Sequence, residues 1–186
     1  MRAALRRRKP EKRLRSLARR PSSAFPEIST VAAEPRPRLL LDTGVYLLDA
    51  ANRLPREVTD LLDRASLYHC AVCLSEIALG LANADPSHPR WRASRDHFLA
   101  VVEAIPASRL VTPDRAMWAD AGIIAGILAR IQGYQPWQRK ECLNDALVYL
   151  CAAKLGAPVL TTDRADFDLI QQIAPEGRIL AFAAAA

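Results

Sequence analysis

Long apolar runs are missing from this sequence: no stretch approaches the roughly 18 consecutive apolar residues that a bilayer span requires, and the mean hydropathy is -0.02. That excludes an integral membrane protein and makes the cytoplasm the expected location. Histidine is scarce, with three residues, and cysteine numbers four. Cys70 and Cys73 form a CxxC, but Cys142 and Cys151 are nine apart on one helical stretch, so a zinc ligand set is not expected. Nor does a 186-residue chain that is 51% hydrophobic need disulfide staples to build a core. Buried thiols in a reducing compartment are the expectation. The N-terminal segment lacks the apolar stretch of a secretory signal, there is no internal repeat, and the length fits one domain.

Charge is unevenly spread. Residues 1–38 hold 12 of the 26 Lys and Arg but 3 of the 20 acids, which leaves 14 bases and 17 acids downstream. The pI near 9.5 therefore describes a tail, and the remainder is mildly acidic. Residues 1–37 mix arginine with proline and serine and are expected to be a basic, disordered extension, with a short helix between Arg2 and Arg20 as an option. An organelle transit peptide, a misplaced translation start, or an arm that grips nucleic-acid phosphates by releasing counterions would all have this composition.

From Leu39 strands and helices alternate. A buried strand over Arg38–Leu41 ends in Asp42. Helices are expected over Val45–Ala51 and over Pro55–Ala65, where Val58, Leu61 and Leu62 share a face. A strand at Leu67–Cys73 leads to a helix from Ser75 to about Ala84, with Glu76 in its first turn. A helix over Arg90–Ala104 and a short strand at Arg109–Thr112 follow. Pro113-Asp114 then opens a long helix that Gly133 caps. The loop YQPWQRKECL precedes Asn144, expected as the N-cap of a helix from Asp145 to Leu155, which Gly156 ends. Ala157–Thr162 is a strand with Asp163 just beyond it, and RILAFA supplies a fifth. Strand–helix alternation of this kind predicts an α/β fold with a parallel sheet and right-handed crossovers.

Ligands of such sheets bind beyond the carboxyl ends of the strands, where strand order reverses. Asp42, Glu76, Asp145 and Asp163, with Asp166 nearby, all map to that edge. Any one acid at a helix start is ordinary dipole complementation; the joint placement is what points to chemistry. Four carboxylates in one cleft repel each other unless a cation neutralises them, and hard oxygen donors favour Mg²⁺ or Mn²⁺. Such a centre activates water and stabilises the leaving 3′ oxygen of a phosphodiester.

The stretches LLLDTGVYL, LSEIALGL and NDALVYLCAAKLGAPVLTTDRADF resemble the three acidic motifs of PIN-domain nucleases, specifically VapC-type toxins of bacterial toxin-antitoxin pairs. The resemblance spans about residues 38–183. It implies a PIN-like three-layer α/β/α sandwich with an about five-stranded parallel sheet, and a nuclease domain over 38–186. It further implies that Asp42, Glu76, Asp145 and Asp163 bind Mg²⁺ or Mn²⁺, with Asp166 a candidate fifth ligand, in a metal-dependent endoribonuclease. A cognate antitoxin and a homodimer are implied as partners. Gly44 departs from the family, where a bulkier residue is common.

For the RNA substrate, two groups combine cations with an aromatic: Arg90, Arg92 and Arg95 around Trp91, and Trp137, Arg139 and Lys140 beside Tyr134. Both tryptophans would serve equally well as core packing. Thr43 and Thr162 are placed to hydrogen-bond carboxylates or phosphate, or simply suit a strand end. The apolar stripe Ile123, Ile124, Ile127, Leu128 and Ile131 suits a dimer seam or the core. Two other readings compete. A haloacid-dehalogenase-like phosphatase would use Asp42 and Lys154, but it needs a second Asp where Gly44 stands and leaves Glu76 unexplained. A non-catalytic PIN-like module for nucleic acid or a partner would have no need of four mutually repelling acids.

Overall fold

A computed structural model describes residues 1–185; Ala186, the end of the expected 38–186 domain, lies outside them. Five parallel strands, β1 (Arg38–Leu41), β2 (Ser66–Cys70), β3 (Leu110–Val111), β4 (Pro158–Thr161) and β5 (Arg178–Ala181), form one sheet in the order β3-β2-β1-β4-β5. Strand order therefore reverses between β1 and β4, the position where α/β sheets open a crevice. The expected α/β/α architecture is what the chain adopts.

Nine helices accompany the strands among the described residues. α3 (Thr43–Ala50) and α4 (Arg56–Leu62) join β1 to β2, and α5 (Ala71–Asn83) and α6 (Trp91–Glu103) join β2 to β3. α7 (Arg115–Gln132) and α8 (Pro136–Leu155) carry the chain back to β4, and α9 (Arg164–Ile173) leads to β5. Contacts sort the connecting helices into two groups, α3 with α5 and α6, and α7 with α8 and α9. Right-handed crossovers running in opposite directions along a sheet produce this sorting. Residues 146–152 of α8 are all buried, which requires a helix that is apolar or small on every side. Gly133 and Gly156 end α7 and α8 at φ 69° and 64°, left-handed conformations that glycine adopts without a Cβ clash.

Two helix starts differ from expectation. α8 begins at Pro136, nine residues before Asp145, because proline suits a first turn and the Gln138 side chain accepts from the Gln135 N–H at 2.9 Å. Asn144 is thus inside a helix and is not its cap, and Asp145 is not in a first turn. Similarly, the apolar run after β2 turns helical at Ala71, so Glu76 lies in the second turn of α5 and Cys73 on a helix. A short apolar run fits either a strand or a buried helix, and only the tertiary contacts decide. All four cysteines are free and buried. The α7 stripe considered as a dimer seam is used within the chain: Ile124, Ile127 and Leu128 are buried.

The largest difference is the N-terminal segment, which is docked where disorder was expected. α1 (Arg2–Arg8) lies on α7, and α2 (Ile28–Ala32) inserts Ile28 and Val31 into the core. Arg8 is 1% exposed, and its Nε and Nη2 donate to Asp120 at 2.9 and 2.7 Å, while Nη1 donates to Glu176 at 2.9 Å. The Arg20 N–H and Nε donate to Asp168 at 2.7 and 2.6 Å. Asp120 and Asp168 are 3% and 1% exposed. Their cationic partners among the described residues all come from this segment: Arg7 and Arg8 for Asp120, Arg20 for Asp168. These arginines are consumed in the fold and are not a free arm. The reason is electrostatic, since a buried carboxylate without a cation is costly. Arg8→Ala is expected to destabilise the protein by about 3 kcal/mol in chemical denaturation. Arg56→Ala, which removes only an exposed 3.9 Å pair with Asp60, is expected to change stability by less than about 0.5 kcal/mol. Equal effects would contradict the structural role of the strap.

Candidate active site

The acids lie where chain ends and helix turns meet at the reversal of strand order. Asp42 leaves β1 as the N-cap of α3, and Asp163 follows β4 as the N-cap of α9. Glu76 comes from α5 and Asp145 from the third turn of α8. Asp42 is 8% exposed. Its Oδ1 accepts from the Thr43 N–H at 2.8 Å and its Oδ2 from Thr161 Oγ1 at 2.6 Å. Thr161 Oγ1 also accepts from the Asp163 N–H at 2.9 Å, so one hydroxyl ties both strand ends together. Thr43 Oγ1 donates to Glu76, whose other oxygen accepts from Asn144 Nδ2 at 2.7 Å. Asp163 Oδ1 accepts from the Asp166 N–H at 3.0 Å.

Asp145 has no such support. No hydrogen bond to its carboxylate is made among the described residues, and burial, then Asp42, Asp163, Glu76 and Asp166, push its pKa well above the carboxylate range. Burial also dominates at Asp42, opposed by the Thr161 and Thr43 hydrogen bonds and reinforced by Glu76 and Asp163, which leaves it raised to about 6. Asp166 is raised by burial and by Asp163, against the pull of Arg19. The neighbouring acids thus raise the proton affinity of Asp42, Asp145 and Asp166, the mark of a local excess of negative charge.

Among the described residues no three His, Cys, Asp or Glu side chains are arranged as a ligand set. Asp42, Glu76 and Asp163 are turned to Thr, Asn and backbone donors instead. In kind, the donors fit a hard divalent cation: all are oxygens, their charges are uncompensated, and Asp145 has no donor of its own.

Two contributors were missed from the sequence. Asn144, read as a helix cap, supports Glu76, and Thr161 makes the contact to Asp42 that was considered for Thr162. A helical residue one before Asp145 and a strand residue two before Asp163 are both local to the motifs, but which face they present depends on where α8 and β4 begin. Thr162 instead packs on Gly44: a Cβ there would come within 2.8 Å of Thr162 Oγ1. That close approach accounts for the glycine. Phe167 is fully buried, as expected of a packing residue.

The two basic groups are placed differently. Trp137, 63% exposed, and the exposed Arg139 and Lys140 occupy the first turns of α8. Lys140 is about 7 Å along the helix axis from Asp145. The nearby Tyr134 and Cys142 both feel the charges of Asp145 and Asp166. Arg90 lines a separate cavity of about 670 Å³ bordered by α3, α5 and α6. Trp91 donates its Nε1 to the Leu81 carbonyl at 3.2 Å, and Arg95 stacks on Trp91 and pairs with Asp96. Arg92 is exposed on α6. Lys154, which a phosphatase would need beside Asp42, pairs with Asp114 at 2.9 Å.

The raised pKa of Asp42 has a consequence for stability. A carboxyl shifted from 3.8 to about 6 on folding favours the folded state below pH 4 and loses that contribution as pH climbs through 6. The change amounts to about 3 kcal/mol. In EDTA, Asp42→Asn is therefore expected to be more stable than the parent at pH 7 and to converge with it near pH 4. A constant difference in denaturation midpoint across that range would refute the shift.

Comparison with known proteins adds the family. The PIN domain model matches residues 39–172, which contain all five acids. Among solved structures, this chain is similar to VapBC2 from Rickettsia felis bound to a DNA fragment from their promoter, with TM-score 0.51, 14% identity, and 78% of this chain and 98% of that one covered. It is also similar to FitAcB from Neisseria gonorrhoeae, with TM-score 0.53, 19% identity, and 77% and 96% covered. At these identities the likeness is one of fold. No curated protein matches the sequence. With the family model covering well over half its length, the chain belongs to the PIN-domain family.

Proposed function

We propose that this PIN-domain protein is a nuclease that cuts RNA internally with Mg²⁺ or Mn²⁺, and that it is the toxin of a toxin-antitoxin pair. The carrying observation is Asp145, a carboxylate that feels the charge of four other acids and has no hydrogen-bond donor among the described residues. In this reading Asp42, Glu76, Asp145 and Asp163 would hold the ion and orient the attacking water. Asp166 is a fifth acid, turned toward Arg19. When bound, the ion supplies the charge that lets the carboxylates ionise together and polarises water and the phosphodiester oxygen.

The chain's own contributions are positional. Thr161 and the Thr43 N–H hold Asp42 in one orientation, Thr43 and Asn144 hold Glu76, and Thr161 sets the backbone at Asp163. A site preset in this way spends little on reorganisation during the reaction. Trp137, Arg139 and Lys140, at the start of the helix that carries Asp145, are the best placed of the expected RNA contacts. Arg90, Arg92 and Arg95 would act at a distance, on α6. The toxin reading draws on the sequence resemblance, and the two similar structures, VapBC2 and FitAcB, support its fold; a cognate antitoxin as partner is part of the reading. A homodimer is part of the reading too; of the α7 stripe, only the partly buried Ile123 and Ile131 remain available to it.

Purified protein freed of any antitoxin is expected to cleave RNA with Mg²⁺ or Mn²⁺ and to stop in EDTA. Asp145→Asn should reduce the rate on the order of a hundredfold or more without unfolding. Sequencing the cut ends after expression of parent and variant reads out both the substrate and the dependence on Asp145. RNA binding without turnover by the parent would favour the non-catalytic module. Undiminished cleavage by Asp145→Asn would remove the assignment of the site.

A further inference from the structure

The N-terminal strap has a second consequence, independent of its role in stability. Between Arg20, anchored on Asp168, and Ile28, anchored in the core, the chain runs beside the carboxyl end of β4. There it closes a cavity of about 760 Å³. One wall is Ser22, Ser23 and Phe25 from the strap; the other includes Thr162, Asp163 and Arg164. The cavity therefore opens directly onto Asp163, one of the acids of the site, and eight of its twelve lining residues, five of them from the strap, lie outside the span matched by the family model.

Its chemistry suits a nucleotide. Arg164 is exposed and has no ion-pair partner among the described residues. Arg19 does not line the cavity but touches a residue that does: its Nε donates to the Ala165 carbonyl at 3.4 Å, and its Nη2 to Asp166 Oδ1 at 3.0 Å. That pair is solvent-exposed on both sides, 59% and 41%, and such pairs are weak enough for a phosphate to displace the carboxylate. Phe25 is half-buried, with the Arg20 guanidinium 4.9 Å from its ring centroid. A ring held in this way is a platform on which a base stacks without a sequence requirement. Ser22 and Ser23 add hydroxyls. Glu27, the other acid lining the cavity, accepts from Ser29 Oγ at 3.2 Å.

We propose that Ser22, Ser23 and Phe25 of the strap, together with Arg19 and Arg164, form a subsite for the nucleotide adjoining the scissile phosphodiester of single-stranded RNA on the Asp163 side. The base stacks on Phe25, and the flanking phosphate is held by the two arginines. This rests on the nuclease reading and adds to it the direction in which the strand leaves the acids and the residues that grip it.

The test uses the full-length chain and a short single-stranded RNA. Cleavage kinetics are measured with Mn²⁺, and binding by fluorescence anisotropy in EDTA across a range of salt. In Arg19→Ala/Arg164→Ala, KM is expected to rise about tenfold with kcat nearly unchanged, and the slope of log affinity against log salt to fall by about 0.7, one single-strand phosphate contact. Phe25→Ala is expected to weaken binding roughly tenfold with the salt slope unchanged. Arg19 and Arg164 are exposed, so their variants are informative even if Phe25→Ala unfolds. If the parent cuts RNA and the double variant keeps its KM and salt slope, the subsite is wrong and the nuclease reading stands. Faster cleavage by the double variant would mean that Arg19 obstructs the site, which also overturns the subsite. A parent that neither binds nor cuts RNA overturns both.

Discussion

Repulsion among carboxylates organises this molecule. Asp145 feels the charges of Asp42, Asp163, Glu76 and Asp166 and accepts from no donor among the described residues, so its ionised form is disfavoured by burial and by these four acids at once. The fold makes this arrangement unavoidable. Strand order reverses between β1 and β4, which brings Asp42 and Asp163 side by side, and α8 and α5 close over them with Asp145 and Glu76. Hydrogen bonds from Thr43, Thr161 and Asn144 stabilise Asp42 and Glu76, and the Asp166 N–H stabilises Asp163, without neutralising any. On our reading, a divalent cation is what this surplus is kept for, and the metal-free protein carries the cost as reduced stability at neutral pH.

A second group of acids meets the same constraint by a different route. Asp120 and Asp168 are more deeply buried than the acids of the cleft, yet each has arginine in hydrogen-bond contact. Those arginines arrive from the N-terminal segment, more than a hundred residues away in sequence. The contrast is informative: where buried acids serve the fold the chain provides cations of its own, and for Asp42, Glu76, Asp145 and Asp163 in the cleft it does not. Arg19 marks the boundary between the two regimes, since it reaches Asp166 but only through an exposed contact.

Much of the architecture was legible because its signals are local. LLLD and VLTTD read as buried strands ending in acids, and Gly133 and Gly156 read as helix ends; the structure has all four features. Two classes of feature were not legible. Helix starts inside mixed segments depend on what packs on them: Asn144 before an apolar run looks like a cap, but Pro136 and the Gln135–Gln138 pair start the helix earlier, and that moves Asn144 onto Glu76. The docking of residues 1–37 depends on partners distant in sequence. An arginine-rich, proline-broken segment has no local property that distinguishes a free arm from a strap when its counter-charges lie at Asp120 and Asp168.

The central claim is that the surplus charge around Asp145 is a cation site, and titration of the metal-free protein with Mn²⁺ tests it directly. Followed calorimetrically and by the shift in Tm, the parent is predicted to bind one or two ions and gain thermal stability, and Asp145→Asn to lose most of both. A parent that takes up no Mn²⁺ and keeps the same Tm at millimolar concentration would contradict the account.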